Sequence, residues 1–215
     1  MQINSVIFDM DGVMIDSEPQ WAKAQIAVLA EFGIAITEKE CEKFTRGKRI
    51  DELSETWIKK FNLSVSNQKL SEAILENGCN AIAQTGIALK GLYELLAFLK
   101  SNHIKLAVAT SSPPVVIKTI FDRLNLWDYF PIQCSAMDEE YGKPHPAVYL
   151  RAVKKLGIEK QECIVIEDSI TGLIAAKAAN LTTFLVNSNY ENEKFSIADE
   201  RMASLLDVMT KLKLY

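Results

Sequence analysis

An α/β fold, a parallel sheet with a block of helices inserted after its first strand, is what this sequence predicts, and three observations carry it. The apolar run Val6-Ile7-Phe8 stops abruptly at two acids one residue apart, Asp9 and Asp11, with Gly12 behind them. From Asp16 to Ala83 the patterning is helical throughout. From Leu89 onward, short apolar runs alternate with amphipathic stretches. Strands separated by helices pair in parallel through right-handed crossovers.

The first run reads as a strand buried on both faces, as in the middle of a parallel sheet. Its acids then sit at the carboxyl end, where open α/β sheets bind ligands because loops and helix amino ends converge there. Gly12 lets the chain turn tightly, so that both acids face one point. Anions held so close repel, and a hard divalent cation such as magnesium, which prefers oxygen ligands, relieves the repulsion. A lone pair of acids would equally serve to cap a helix, so the rest of the chain decides.

The inserted helices are expected at Glu18 to Phe32, Glu38 to Thr45, Ile50 to Asn62 and Ser66 to Ala83. Apolar residues recur there at helical spacing, as in Ile26, Leu29, Ala30 and Phe32, then Leu53, Trp57, Ile58 and Phe61. Thr37 to Glu40 has the pattern of a capping box. The alternating part follows as a helix Gly91 to Asn102, a strand Ile104 to Ala109, a helix Val115 to Leu124 and a short strand Ile132 to Ser135. It continues with a helix Ala147 to Leu156, a strand Cys163 to Glu167, a helix Ile170 to Ala179, a strand Thr182 to Val186 and an amphipathic helix Ser204 to Lys213. Asn187 to Glu193 reads as a polar loop.

With 215 residues, 48% of them hydrophobic, the chain can bury a sizeable core in one or two domains. A formal charge of -4 gives no basic footprint for nucleic acid or an anionic membrane. Four cysteines, Cys41, Cys79, Cys134 and Cys163, lack the spacing of a zinc site or disulfide framework and read as small buried hydrophobes in a reducing cytoplasm. No signal peptide is expected, because the first apolar run meets Asp9 too soon, and no segment approaches the ~18 apolar residues of a membrane span. With only His103 and His145 available, a histidine-rich metal site is excluded.

Chemistry recurs at the strand ends. Thr110-Ser-Ser-Pro-Pro114 places hydroxyls ahead of a helix, suited to phosphate oxygens, with Ser112 expected as the helix cap. Gly142-Lys-Pro-His-Pro146 offers the point charge of Lys143 to an anion. Glu167-Asp168 sets two adjacent acids before a helix, where they can ligate a metal or favour the helix terminus. Each element is ambiguous alone, yet together with Asp9 and Asp11 they fall in sequence at successive strand ends.

This set, Asp9-Met-Asp11-Gly12, Thr110, Lys143 within GKPHP and Ile166-Glu167-Asp168-Ser169, resembles the four motifs of the haloacid dehalogenase-like superfamily over nearly the whole chain. The helical insert is similar to the cap of the subgroup of β-phosphoglucomutase and the small sugar-phosphate phosphatases. DGVMIDSEPQW and Thr45-Arg-Gly-Lys-Arg-Ile-Asp51 most resemble the phosphatases of 2-deoxyglucose-6-phosphate and hexitol phosphates. The resemblance implies a doubly wound, Rossmann-like core of residues 1–15 and 84–215 and a mobile α-helical cap of 16–83. It implies a cytoplasmic, monomeric phosphatase of a small phosphorylated metabolite.

The resemblance also implies roles. Asp9 would be the nucleophile, ionised at neutral pH and forming an aspartyl-phosphate. Asp11 would protonate the leaving alkoxide and then deprotonate water, its repulsion with Asp9 splitting their pKa values. Magnesium would be held by the Asp9 carboxylate, the Asp11 carbonyl and Asp168, with Glu167 acting through a water or from outside the ligand shell. Thr110 and the Ser111 N–H would hold non-bridging oxygens, and Lys143 would offset charge. In the cap, Arg46, Lys48 and Arg49 lie in the stretch that family members turn towards the site, Arg49 holding sugar hydroxyls unless the three form a solvated basic patch, and Trp21 either walls the sugar ring or packs as core. Trp21 stands where the mutase has a histidine, which favours water as the acceptor over a hexose-phosphate mutase. A phospho-receiver and a true, magnesium-free dehalogenase share parts of the pattern. The inserted helices and Glu167-Asp168 fit the first poorly, and Asp11 and Asp168 speak against the second.

Overall fold

The computed structural model describes residues 3–214. Strands β1 (Ser5–Phe8), β2 (Lys105–Thr110), β3 (Ile132–Ser135), β4 (Cys163–Glu167), β5 (Thr182–Val186) and β6 (Glu200–Met202) form one parallel sheet in the order β3-β2-β1-β4-β5-β6. This is an α/β, Rossmann-like fold, with β1 at the centre where the strand order reverses. In register, Phe8 stands beside both Val108 and Ile166, so the carboxyl ends of β1, β2 and β4 lie side by side. That alignment places the three acid- and hydroxyl-bearing loops together.

Helices α1 (Glu18–Ala30), α2 (Glu38–Thr45), α3 (Ile50–Phe61) and α4 (Asn67–Thr85) follow β1 as a block. The remaining helices are α5 (Leu92–Ser101), α6 (Pro114–Leu124), α7 (Ala147–Leu156), α8 (Ile170–Ala178) and α9 (Leu205–Leu212). On one face of the sheet Val6, Phe8, Val108 and Ile166 pack with Leu95 and Leu96 of α5, Ile120 and Phe121 of α6 and Val208 of α9. On the other, Ile7, Ala107 and Val165 meet Tyr149 and Ala152 of α7 and Ala176 of α8. Burial on both faces explains why these strands read as continuous apolar runs rather than alternating ones.

The helical block has a core of its own, in which Trp57 is fully buried among Val28, Leu29, Leu53, Leu70 and Ile74. The chain leaves and re-enters the sheet region at one place: Leu89 N–H bonds the carbonyl of Met14 at 2.9 Å, and Ile15 bridges Ala88. Local chemistry sets the helix ends. Thr37 and Glu40 form the reciprocal capping box at the start of α2, and Asn62, in the left-handed region at φ 50°, ends α3.

Two expectations are corrected. Helix α1 stops at Ala30, because the chain turns through Gly33 at φ 74°, and Phe32 lies 40% exposed rather than in the core. Strand β6 carries no period in its three residues; its pairing with β5, Phe184 beside Glu200, creates it. Among the described residues no helix is long and apolar enough to cross a membrane, and the four cysteines are free thiols, three of them buried.

Candidate active site

The ladder between β1 and β4 runs one residue past the strand, with Asp9 N–H bonding the carbonyl of Ile166 at 2.9 Å, which fixes Asp9 against the Glu167-Asp168 loop. Gly12 turns the chain at φ 83°, and a Cβ there would come within 2.4 Å of Asp168 Oδ2. Only glycine meets both demands. Asp9, Glu167 and Asp168 are all buried, with one carboxylate oxygen of each within 4.8 Å of the others.

Lys143 enters this acid cluster from the loop before α7. Its Nζ lies 2.7 Å from Asp9 Oδ1, 2.7 Å from Glu167 Oε1 and 2.9 Å from the Tyr149 hydroxyl, so its three N–H groups are all directed. Burial acts to lower the Lys143 pKa, and the Asp9 and Glu167 carboxylates more than offset it, leaving it raised. Glu167 accepts from Lys143 and Tyr149 on Oε1 and from Asp168 N–H, Ser169 N–H and Ser169 Oγ on Oε2. A carboxylate has about four lone-pair sites. Glu167 is therefore saturated from within, and burial, which would raise its pKa, is outweighed by Lys143 and these donors.

Asp9 and Asp168 are different. Burial pushes the Asp9 carboxyl well above its usual range, aided by the charges of Glu167 and Asp168 against the pull of Lys143. Burial likewise lifts Asp168 to about 7, with Glu167 adding to it and Arg46 opposing. Excess buried negative charge built only from oxygen donors suits a hard divalent ion. Asp9, Asp168 and the neighbouring Asp11 carbonyl are the groups left to hold it.

The Asp11 carboxylate accepts from Ser17 Oγ and from the Trp21 indole N–H at 3.3 Å on one oxygen, both at the helical block, and from Ser112 Oγ of the β2–α6 loop at 2.7 Å on the other. Ser112 is thus no helix cap; Pro113 occupies that position of α6, and the Ser112 hydroxyl serves Asp11 instead. Thr110, buried at the end of β2, and Ser111 line the same cleft as Asp9 and Lys143.

From the block, Trp21, Gln25, Thr45, Arg46 and Leu53 form the facing wall. Trp21 seats its ring on Gly78 of α4, where a Cβ would stand 2.4 Å from it. Gln25 is buried and fixed by Thr45 Oγ1 at 2.9 Å and the Trp57 indole N–H at 2.8 Å. Arg46 reaches Asp168 at 3.0 Å and lies within 3.6 Å of Glu18 and 3.5 Å of Glu42. The structure does not bring Arg49 to this cleft. Its guanidinium is spent on Asp51 and on main-chain carbonyls of the loop before Lys143. Sequence reasoning missed Tyr149, Ser17, Ser112 and Gln25 as site residues. Ser17, six residues past Asp11 and just before the first helix, carried the nearest thing to a signal.

Residues 3–180 match the family model for haloacid dehalogenase-like hydrolases. The chain belongs to that family. The hydrolase is 33% identical over 213 residues to hexitol phosphatase B of Escherichia coli K12, covering 98% of this chain and 96% of the relative. Among solved structures it is similar to CbbY from Rhodobacter sphaeroides in complex with phosphate, with a TM-score of 0.88, 22% identity and 96% coverage of both chains. It is also similar to β-phosphoglucomutase from Clostridium difficile, with a TM-score of 0.80, 26% identity and 100% coverage of both. The hydrolase is an enzyme of the phosphatase kind, a phosphoric monoester hydrolase.

Proposed function

We propose that this hydrolase is a magnesium-dependent phosphatase of small phosphorylated sugars or polyols, working through an aspartyl-phosphate on Asp9. The observation that carries it is the set of groups on one cleft: Asp9 at the end of β1, Lys143 at 2.7 Å, Asp168 beside it and Thr110 at the next strand end. One Asp9 carboxylate oxygen attacks phosphorus, and the bond from phosphorus to the leaving alkoxide breaks as Asp11 gives that oxygen a proton. Asp11 then takes a proton from water, which attacks the phosphorus of the acyl phosphate and returns Asp9 and inorganic phosphate. Magnesium, when held by Asp9, the Asp11 carbonyl and Asp168, neutralises charge that would repel a phosphate dianion. Thr110 and Ser111 hold the non-bridging oxygens, and Lys143 offsets charge on the transferring group.

These core residues recognise only phosphate, so in this reading helices α1–α4 act as the cap that selects the leaving group, its end falling after Thr85 rather than at residue 83 because α4 runs on to Thr85. Trp21 and Leu53 supply apolar surface and Gln25, Arg46 and Lys48 polar contacts in that wall. Similarity to a hexitol phosphatase supports a polyol or sugar. The solved mutase keeps one second reading, hexose-phosphate mutase, which differs in the phosphoryl acceptor. Trp21 favours water, because its indole N–H, which donates to Asp11, cannot take a proton from a sugar hydroxyl. Free thiols fit a cytoplasmic setting, and we propose a monomer.

The test is phosphate release from hexose 6-phosphates, hexitol phosphates and β-glucose 1-phosphate, with and without magnesium. Magnesium-dependent release with a preferred sugar or polyol is expected. Conversion of β-glucose 1-phosphate to glucose 6-phosphate without release would make it a mutase, and silence on all of them would overturn the reading.

A further inference from the structure

Arg49 stands at the start of α3 and crosses from the helical block to the sheet domain. Asp51 grips its guanidinium edge-on, Nε to Oδ1 at 3.0 Å and Nη2 to Oδ2 at 2.6 Å. This bidentate pairing leaves Nη1 facing outward, and it donates to the carbonyls of Ala136 at 3.3 Å and Glu139 at 3.1 Å. Both carbonyls belong to the loop between β3 and Lys143. The Arg49 stem lies on Gly142, the residue before Lys143, so closely that a Cβ there would come 2.6 Å from Cδ. The side chain is only 12% exposed. Of its five N–H groups, four are engaged in these contacts, which leaves little to offer a substrate.

The same loop is held from the other side by Arg151 of α7, which reaches Asp138 at 3.3 Å and also pairs with Glu139. Lys143 must arrive with its ammonium 2.7 Å from Asp9, and its loop is pinned between α7 and Arg49.

Resting on the phosphatase reading, we propose that Arg49, pre-organised by Asp51, is a positioning residue: it clamps loop 136–142 against the helical block and so delivers Lys143 to the nucleophile. Docking of the block and charging of the site are thereby one event. Arg49 acts on every substrate alike, because it touches the loop and not the leaving group.

Gly142 gives an independent handle. Its φ lies outside the left-handed region, so alanine is tolerated by its backbone and meets mainly the Arg49 stem, with Glu52 Oε1 next at 3.3 Å. The experiment is a cycle of Arg49→Ala, Gly142→Ala and the double variant, assayed on p-nitrophenyl phosphate and on a hexitol phosphate, with thermal unfolding of each. Amide hydrogen exchange over residues 136–143 is followed in parallel. The clamp predicts a fall in kcat of about tenfold or more on both substrates for Arg49→Ala, with KM little changed, since small misplacements of a charged group are costly. Gly142→Ala should show the same loss, the double variant should be no worse than Arg49→Ala, and loop exchange should quicken in all three. Additive losses, a KM effect confined to the hexitol phosphate, unchanged loop exchange, or a kcat loss matched by the unfolded fraction would each overturn the clamp. A wild-type chain that releases no phosphate would instead sink the phosphatase reading, and the exchange experiment would still decide on the clamp.

Discussion

At the residue scale, the site is a balance of buried charges, and removing either sign has a different consequence. Asp9→Asn keeps size and hydrogen bonding but removes the attacking anion. Turnover should vanish with the melting temperature preserved, and residual activity at the wild-type rate would refute the nucleophile assignment. Lys143→Ala is less clean than its loop position suggests from sequence. Besides a transition-state loss of about 3 kcal/mol, seen as a fall in kcat of about a hundredfold, it leaves Glu167 and Asp9 buried without their cation. Breaking a buried pair from one side costs about 3–5 kcal/mol. Calorimetry beside the kinetics should show both losses; a kcat effect with unchanged stability would mean that Lys143 is not buried against Glu167 as described. The motif residues Asp9, Asp11, Thr110, Lys143, Glu167 and Asp168 were legible because each lies at the end of a strand or in the loop that follows one. Tyr149 was not, because an aromatic on the apolar face of α7 reads as core until its hydroxyl is seen 2.7 Å from Glu167.

At the element scale, helix α1 carries a titratable group into the cleft. Burial lifts Glu18, in the first turn, from an ordinary 4.5 to about 7; the Arg46 charge opposes this, and Asp11 and Asp16 add to it. The folded protein therefore binds a proton that the unfolded chain has lost between these two values. By linkage, the contribution of Glu18 to stability is greatest below 4.5 and declines as the pH rises to about 7. Glu18→Gln should flatten that part of the stability profile, measured by denaturant unfolding in metal-free buffer; an unaltered slope would show that Glu18 titrates normally. The start of α2 followed from a local signal, the Thr37 box. Strand β6 did not, since three residues at a sheet edge carry no period and depend on β5 for their existence.

For the whole molecule, the helical block reaches the acid cluster through the ion pair of Arg46 with Asp168, and an ion bound among these buried carboxylates should stabilise the fold. Magnesium at one hundred times its dissociation constant would add about 2.7 kcal/mol. For a chain of this size that is a rise of about 5–10 °C in melting temperature, reversed by a chelator. No rise in wild type would argue against the site, and a rise retained when Asp168 is replaced by Asn would place the ion elsewhere. From sequence alone came the α/β class, the order of the elements, the acids at the strand ends and the family, because these depend on short-range periodicity and on residue types at fixed spacing. What the tertiary structure alone decided is where side chains from distant segments meet. Arg46 lands on Asp168 and Arg49 on the loop before Lys143 although they are three residues apart, since the chain turns between them through Gly47 at φ 73° and each reaches a different loop of the sheet domain. Ser112 turns from a helix cap into a partner of Asp11 for the same reason: a hydroxyl's role is set by what long-range packing brings within 3 Å of it, and local sequence does not encode that distance.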